Sequence, residues 1–171
     1  MKRILTIGYE GAAIEDFCAT LKAAAVRTLV DVRAIPVSRK RGFSKTSLAQ
    51  ACAEAGIAYL HLSALGNPKP GREAAKRGDR EAFRRIYREH LEGQVAQAGL
   101  VAALEVASGS TELLMGAPAC LLCFERDPAD CHRAIVACEM ARRGGLSICH
   151  ASVRQGLAAT VGRQAHGLPA Q

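Results

Sequence analysis

The sequence predicts an α/β domain with three layers: a largely parallel sheet of about five strands with helices on both faces, Rossmann-like in architecture. Short apolar runs alternate with stretches whose apolar residues recur at the 3.6-residue helical period. The length, 171 residues, suits one ordinary domain able to bury most of its apolar side chains. The composition is 49% hydrophobic but only 4% aromatic with no tryptophan, so the core is aliphatic and an extended stacking platform is excluded.

The elements follow in order. Arg3 to Ile7 is an apolar strand stopped at Gly8, and Ile14, Phe17, Cys18, Leu21 and Ala25 lie on one helical face. Thr28 to Val32 is a second strand, followed by a loop from Arg33 to Phe43 that contains Pro36 and Gly42. Leu48, Ala51, Cys52 and Ala55 line a helix that Ser44 or Ser47 can cap, Ser47 making a capping box with Gln50, and that Gly56 closes. Ile57 to Leu62 reads as a third strand. The Pro- and Gly-rich stretch through Gly66, Pro68, Pro70 and Gly71 reads as a loop reaching about Gly78.

Asp79 then caps a helix that buries Phe83, Ile86, Tyr87 and Leu91, and a further helix runs to Ala107. Ala119 to Phe124 is a buried strand, Asp130 to Arg143 a helix ended by Gly144 and Gly145, and Leu146 to His150 a last strand. Residues 1–153 form the expected domain, and 154–171, weak in periodicity, are expected to be a frayed tail.

Lysine and arginine total 23 against 16 acids, a formal charge of +7, which favours an anionic partner. Nothing approaches the ~18 apolar residues of a membrane span, and MKRILTIGYEG reaches a glycine turn too early for a signal peptide, so a cytoplasmic location with no membrane partner is expected. Seven scattered cysteines in such a compartment read as free thiols, not as a disulfide framework.

In a parallel sheet the functional crevice lies beyond the carboxyl ends of the strands. This sequence places Tyr9 and Glu10, Asp31 and Arg33, His61, Glu125, and His150 at those ends. The segment LCFERDPADCHRAI is the sharpest. A buried strand ends, Asp130 caps the next helix, and Cys131, His132 and Arg133 occupy its first turn, where free N–H groups favour anions and a thiolate. Arg133 adds a guanidinium fork for phosphate or carboxylate, or else ties down its own loop by pairing with Glu125 or Asp130.

Other templates fail on counting. A cysteine phosphate loop needs an arginine six positions after the cysteine, where Cys123 has Ala129. Cys120, Cys123, Cys131 and His132 do not converge on a metal if Cys120 and Cys123 point to opposite faces of a strand and the adjacent helical pair diverges by ~100°. The turn Gly8-Tyr9-Glu10-Gly11 carries an acid where a phosphate loop would not, and suits a sugar hydroxyl or base edge better.

Basic residues gather twice. Arg33 to Lys45 has five lysines and arginines and no acid, which makes it the better phosphate-backbone candidate. Arg72 to His90 mixes Arg72, Lys76, Arg77, Arg80, Arg84, Arg85 and Arg88 with four acids and reads as a solvated helix face.

Together, TIGYEG, DVRAIPVSRKRGFS, YLHLSALGNP, FRRIYREHLE and LLCFERDPADCHR resemble the bacterial family called domain of unknown function 488 over roughly Ile4 to Val153. The resemblance implies a compact α/β cytoplasmic protein and marks Tyr9, Asp31, Arg33, Pro36, Ser38, Arg39, Phe43, His61, Leu65, Gly66, Cys123, Glu125, Cys131, His132 and Arg133 as signature positions. It brings no activity with it.

Three functions are compatible with these residues. The first is an enzyme-like anion pocket acting on nucleic acid or a phosphorylated nucleotide-like substrate. Glu125, Cys131 and His132 are then catalytic, and Tyr9, Glu10, Asp31, Arg33, Ser38, Arg39, Phe43, His61 and Arg133 bind substrate, with no metal ligand and an unknown cofactor. The second is a non-catalytic nucleic-acid-binding module, resting on the charge and the acid-free loop. The third is a cysteine-based redox or metal protein, resting on Cys123 and Cys131.

Overall fold

The computed structural model describes residues 2–109 and 118–165, with side chains through residue 161. Its elements are β1 (Arg3–Gly8), α1 (Ile14–Ala23), β2 (Thr28–Asp31), α2 (Lys45–Glu54), β3 (Ala58–His61), α3 (Lys69–Lys76), α4 (Arg80–Glu92), α5 (Gln94–Ser108), β4 (Ala119–Cys123), α6 (His132–Gly144), β5 (Ser147–Ala151) and α7 (Leu157–Ala165). Single 3-10 turns span Ser63–Leu65 and Pro128–Asp130.

Among the described residues the five strands form one sheet in the order β3-β2-β4-β1-β5, with every pairing parallel. The expected three-layer α/β architecture is therefore present. Burial along the strands explains the order. All five residues of β4 are buried and β2 is buried throughout, as strands covered on both faces must be, whereas the edges β3 and β5 are only partly buried.

The side-chain alternation of β4 divides the core. Ala119, Leu121 and Cys123 pack with α4, α5 and α6 around Tyr87, Leu100 and Val136, while Cys120 and Leu122 face α1 and α2 around Phe17, Leu48 and Cys52. The crossovers that follow β1 and β2 thus lie on one face and the one that follows β4 on the other. Because β4 sits between β2 and β1, the helices part at the carboxyl end of β4, which is where such sheets open a crevice.

Several local expectations are corrected. The stretch read as a loop to Gly78 contains α3, which starts at Pro68 as N-cap with Pro70 inside its first turn, where a missing N–H costs nothing. Ser44, not Ser47, stands at the α2 N-cap, and its hydroxyl accepts from the Ser38 N–H and donates to the Ser38 carbonyl instead of capping the helix. Asp130 does not cap α6. It ends the preceding 3-10 turn and pairs with Arg80, leaving Cys131 as the N-cap.

The stretch expected to fray includes α7, whose start is held to α1: the Asp16 carboxylate accepts from the N–H groups of Gly156 (2.8 Å) and Ala158 (3.0 Å). Residues 166–171 of that expectation lie outside the described residues.

Candidate functional site

Two loops at the carboxyl edge of the sheet are organised by buried charge. At the end of β2, Asp31 is fully buried and accepts from Arg33 three times: the backbone N–H (3.1 Å) and Nε (2.9 Å) reach Oδ1, and Nη2 reaches Oδ2 (2.6 Å). Tyr59 donates its hydroxyl to the same Oδ2 (2.6 Å). Arg33 Nη1 also donates to the Tyr9 hydroxyl (3.0 Å) and the Phe43 carbonyl (2.8 Å), so one guanidinium fixes the whole span from Arg33 to Phe43. Burial alone would pull the Arg33 pKa down; the hydrogen bonds and charge of Asp31 outweigh it and hold the group above its ordinary value. Tyr9 stacks on Phe43 with ring centroids 4.4 Å apart, closing the apolar side of the loop.

The second loop joins β4 to α6. Arg133 is fully buried and donates Nη1 to the Glu125 carbonyl and Nη2 to the Arg126 carbonyl (3.0 Å). Of its two expected roles the structure shows the tie to its own loop, made through the Glu125 and Arg126 carbonyls and not through the Glu125 or Asp130 carboxylate, and the fork is turned away from solvent. Glu10 braces the same loop from β1, its carboxylate accepting from the Arg126 N–H (2.9 Å). A close approach lies beneath. A Cβ on Gly8 would stand 1.8 Å from the Glu125 carbonyl oxygen, so the loop can lie this close only over glycine.

Between these loops three potential ligand atoms meet. His132 Nδ1 lies 3.7 Å from Cys123 Sγ and 4.0 Å from Cys131 Sγ, and all three side chains are buried. The His132 Nε2 is 2.8 Å from the Val32 carbonyl, which can only accept, so Nε2 carries a proton and Nδ1 is the ring atom turned toward the sulfurs. Cys123 donates to Glu125 Oε2 at 3.2 Å.

The sequence expectation that the cysteines and histidine do not converge is corrected for three of the four. Cys131 is the N-cap, with extended φ −127° and ψ 139°, so it does not diverge from His132 as two neighbours inside a helix do. Cys120 lies on the opposite sheet face, as alternation requires. The thiolate expected at Cys131 is also corrected: burial pushes its pKa well above the ordinary thiol value and the neighbouring Cys123 adds to the rise.

Above this cluster opens a cleft of about 1020 Å³, bounded by the loop after β2, by α3 and its flanks, and by the β4–α6 loop. Cys123, Glu125 and His132 form part of its lining with Tyr9, Arg33 and Ser38. Around them stand Arg39, Lys40, Arg72, Lys76 and Arg80. Arg80 is paired with Asp130, whereas Arg39, Lys40 and Lys76 enter no ion pair among the described residues. Apolar side chains join the cations: Ile35, Val37 and Phe124 line the same cleft while 58%, 74% and 45% exposed.

Of the residues singled out from sequence, Tyr9, Arg33, Ser38, Arg39, Glu125 and His132 therefore line one cleft. Asp31 and Phe43 lie beneath it as supports, His61 donates Nε2 to the Arg33 carbonyl (2.9 Å), and Cys131 stands behind His132, bordering a second hollow of about 630 Å³. Sequence reasoning missed Phe124 and Asn67. It also set aside Arg72, Lys76 and Arg80 as a solvated face, and the structure corrects this by placing all three at the cleft. The signal of Arg72 and Lys76 was hidden by the prolines that masked α3; an amphipathic count across Lys69 to Lys76 would have turned both to one side.

A family model described as "Domain of unknown function DUF488" matches residues 13–140. The chain belongs to that family. No curated protein and no solved structure matches it. The DUF488 match runs from the residue before α1 to Met140 within α6, so it contains both loops of the cleft and leaves only Tyr9 of the lining outside. No helix among the described residues is long and apolar enough to cross a membrane.

Proposed function

We propose that the cleft is an enzyme-like pocket for a phosphorylated nucleotide, either free or at the end of a nucleic-acid strand. The observation that carries this reading is the meeting, in one cleft, of cations that enter no ion pair among the described residues with exposed apolar side chains: Arg39, Lys40 and Lys76 beside Phe124, Ile35 and Val37. Unpaired cations suit phosphate oxygens, and an aromatic face left half in water suits a base. The volume, about 1020 Å³, accommodates a nucleotide.

Glu125 is the carboxylate of the cleft lining nearest the cysteine–histidine cluster and is the acid–base group of this reading. His132 is less suited to that work than the sequence suggested, since Nε2 is committed to Val32 and Nδ1 faces the sulfurs.

The reading separates into two halves that one competition experiment tests. A fluorescent nucleoside diphosphate is bound to the protein and displaced by pyrophosphate, by the unphosphorylated nucleoside, and by a short single strand. Phe124→Ala is expected to weaken the nucleotide by about 1–3 kcal/mol, the usual worth of one stacked base, while leaving pyrophosphate displacement unchanged. Displacement by pyrophosphate and the nucleoside but not by the strand assigns a small-molecule pocket, and stronger displacement by the strand assigns a nucleic-acid end. Failure of the labelled nucleotide to bind the native protein at low salt contradicts the reading.

A further inference from the structure

The cysteine–histidine cluster has a geometry that phosphate binding does not need. Its three ligand atoms lie within 4.8 Å of one another, with the Nδ1 to sulfur separations at 3.7 and 4.0 Å. A tetrahedral ion with metal–sulfur bonds of about 2.3 Å and metal–nitrogen bonds of about 2.0–2.1 Å holds its ligand atoms about 3.5–3.8 Å apart, so movements of about 1 Å or less bring these three atoms to that spacing.

We propose that Cys123, Cys131 and His132 bind a divalent ion of the Zn²⁺ class. Four features support the assignment. Two thiols and an imidazole are the donor set preferred by borderline-soft ions and not by Mg²⁺ or Ca²⁺. The Val32 carbonyl holds the ring by Nε2, the outer hydrogen bond that metal-ligating histidines characteristically make, and so presents Nδ1 inward.

The scaffold is stiff: Cys123 ends the central strand β4, Cys131 and His132 open α6, and Arg133 clamps the loop between them. Finally, Cys123 and His132 line the cleft beside Glu125 while Cys131 closes the rear, so the fourth position opens to the cleft, as in zinc sites that keep one position for water or substrate. Binding requires both cysteines as thiolates and the Nδ1 atom bare, so occupancy of the site is coupled to proton release.

The test uses the full chain, reduced, stripped with a chelator and titrated with Co²⁺ and then Zn²⁺. One equivalent of Co²⁺ is expected to give thiolate-to-cobalt charge-transfer bands and the intense visible bands of a tetrahedral site, which one equivalent of Zn²⁺ abolishes. Cys123→Ser and Cys131→Ser are each expected to weaken Co²⁺ by at least about tenfold, and Cys138→Ser, on an exposed α6 position, to leave the spectrum unchanged.

Should a ligand variant fail to fold by circular dichroism, X-ray absorption on the zinc-loaded native sequence decides alone: two sulfurs at about 2.3 Å in the first shell support the site. A shell of nitrogen and oxygen only, charge-transfer bands that persist in both serine variants, or fully reduced protein that takes up no Co²⁺ with thiolate character overturns it. None of these readouts requires a nucleotide, so the metal site and the cleft's proposed substrate stand or fall separately.

Discussion

Asp31 and Arg33 show how a charged residue at a strand end becomes structural. The pair is buried and bidentate, with Tyr59 and Tyr9 accounting for further hydrogen bonds, and removing one partner leaves the other charged and dry. Arg33→Ala is expected to lower unfolding stability by about 3–5 kcal/mol in a denaturant titration, and Tyr59→Phe, which removes one neutral donor to a carboxylate, by less, about 1.5–3 kcal/mol. The cysteines offer a second residue-level expectation. Burial raises Cys52 to about 12 and lifts Cys120 further, whereas Cys138 and Cys149 are exposed. A disulfide reagent on the native protein near neutral pH is expected to modify Cys138 and Cys149 first and to reach Cys52 and Cys120 only on unfolding.

Which strand-end residues support the cleft and which line it was only partly legible in the sequence. Arg33 read as a substrate-binding residue and Arg133 as either an anion fork or a tie for its own loop, and each finds its acceptors among nearby groups: a carboxylate two residues back for Arg33, and two carbonyls of the preceding loop for Arg133. Side-chain direction at a loop end depends on how the backbone returns, and spacing alone does not carry that information.

The elements themselves were far more legible. Strands covered on both faces must be continuously apolar, so β1, β2 and β4 stood out as runs, and Asp79 announced α4 by the hydrogen bond it makes to the Ala82 N–H. Helix α3 escaped because proline, normally a breaker, is tolerated in a first turn, and α7 because its stability comes from docking on α1 and not from its own periodicity.

That docking has a pH dependence. The N–H groups of Ala158 and Gly156 hold the Asp16 carboxyl below its ordinary value, so the contribution is present above the unfolded aspartate pKa and is lost as pH falls through the lower folded one. Hydrogen exchange at those two amides is expected to lose protection in Asp16→Ala at neutral pH and in the native protein on strong acidification. At the carboxyl end of β1, Gly8→Ala is expected to cost about 1–3 kcal/mol and to displace the β4–α6 loop, because the new methyl meets the Glu125 backbone and not a flexible side chain. A Gly8→Ala protein with native stability would show that the loop has more freedom than this contact allows.

For the molecule as a whole, the sheet order places the divergence of the two helical layers at the carboxyl end of β4, and the cleft opens there. The chain's excess positive charge, +7, is not spread without pattern: Arg39, Lys40, Arg72 and Lys76 at this cleft lack an ion-pair partner among the described residues, and of these Arg72 is held by the Asn67 carbonyl. The proposed function requires that these cations hold phosphate.

Its most direct test is the affinity of a fluorescent nucleoside diphosphate and of a labelled short RNA across a salt series, comparing the native protein with the Arg39→Ala/Lys40→Ala/Lys76→Ala triple variant. Native affinity for the strand is expected to fall linearly in log–log form, and the triple variant to bind more weakly and to lose about 0.7 from the slope for each phosphate contact removed. Equal affinities and equal slopes in the two proteins would contradict it.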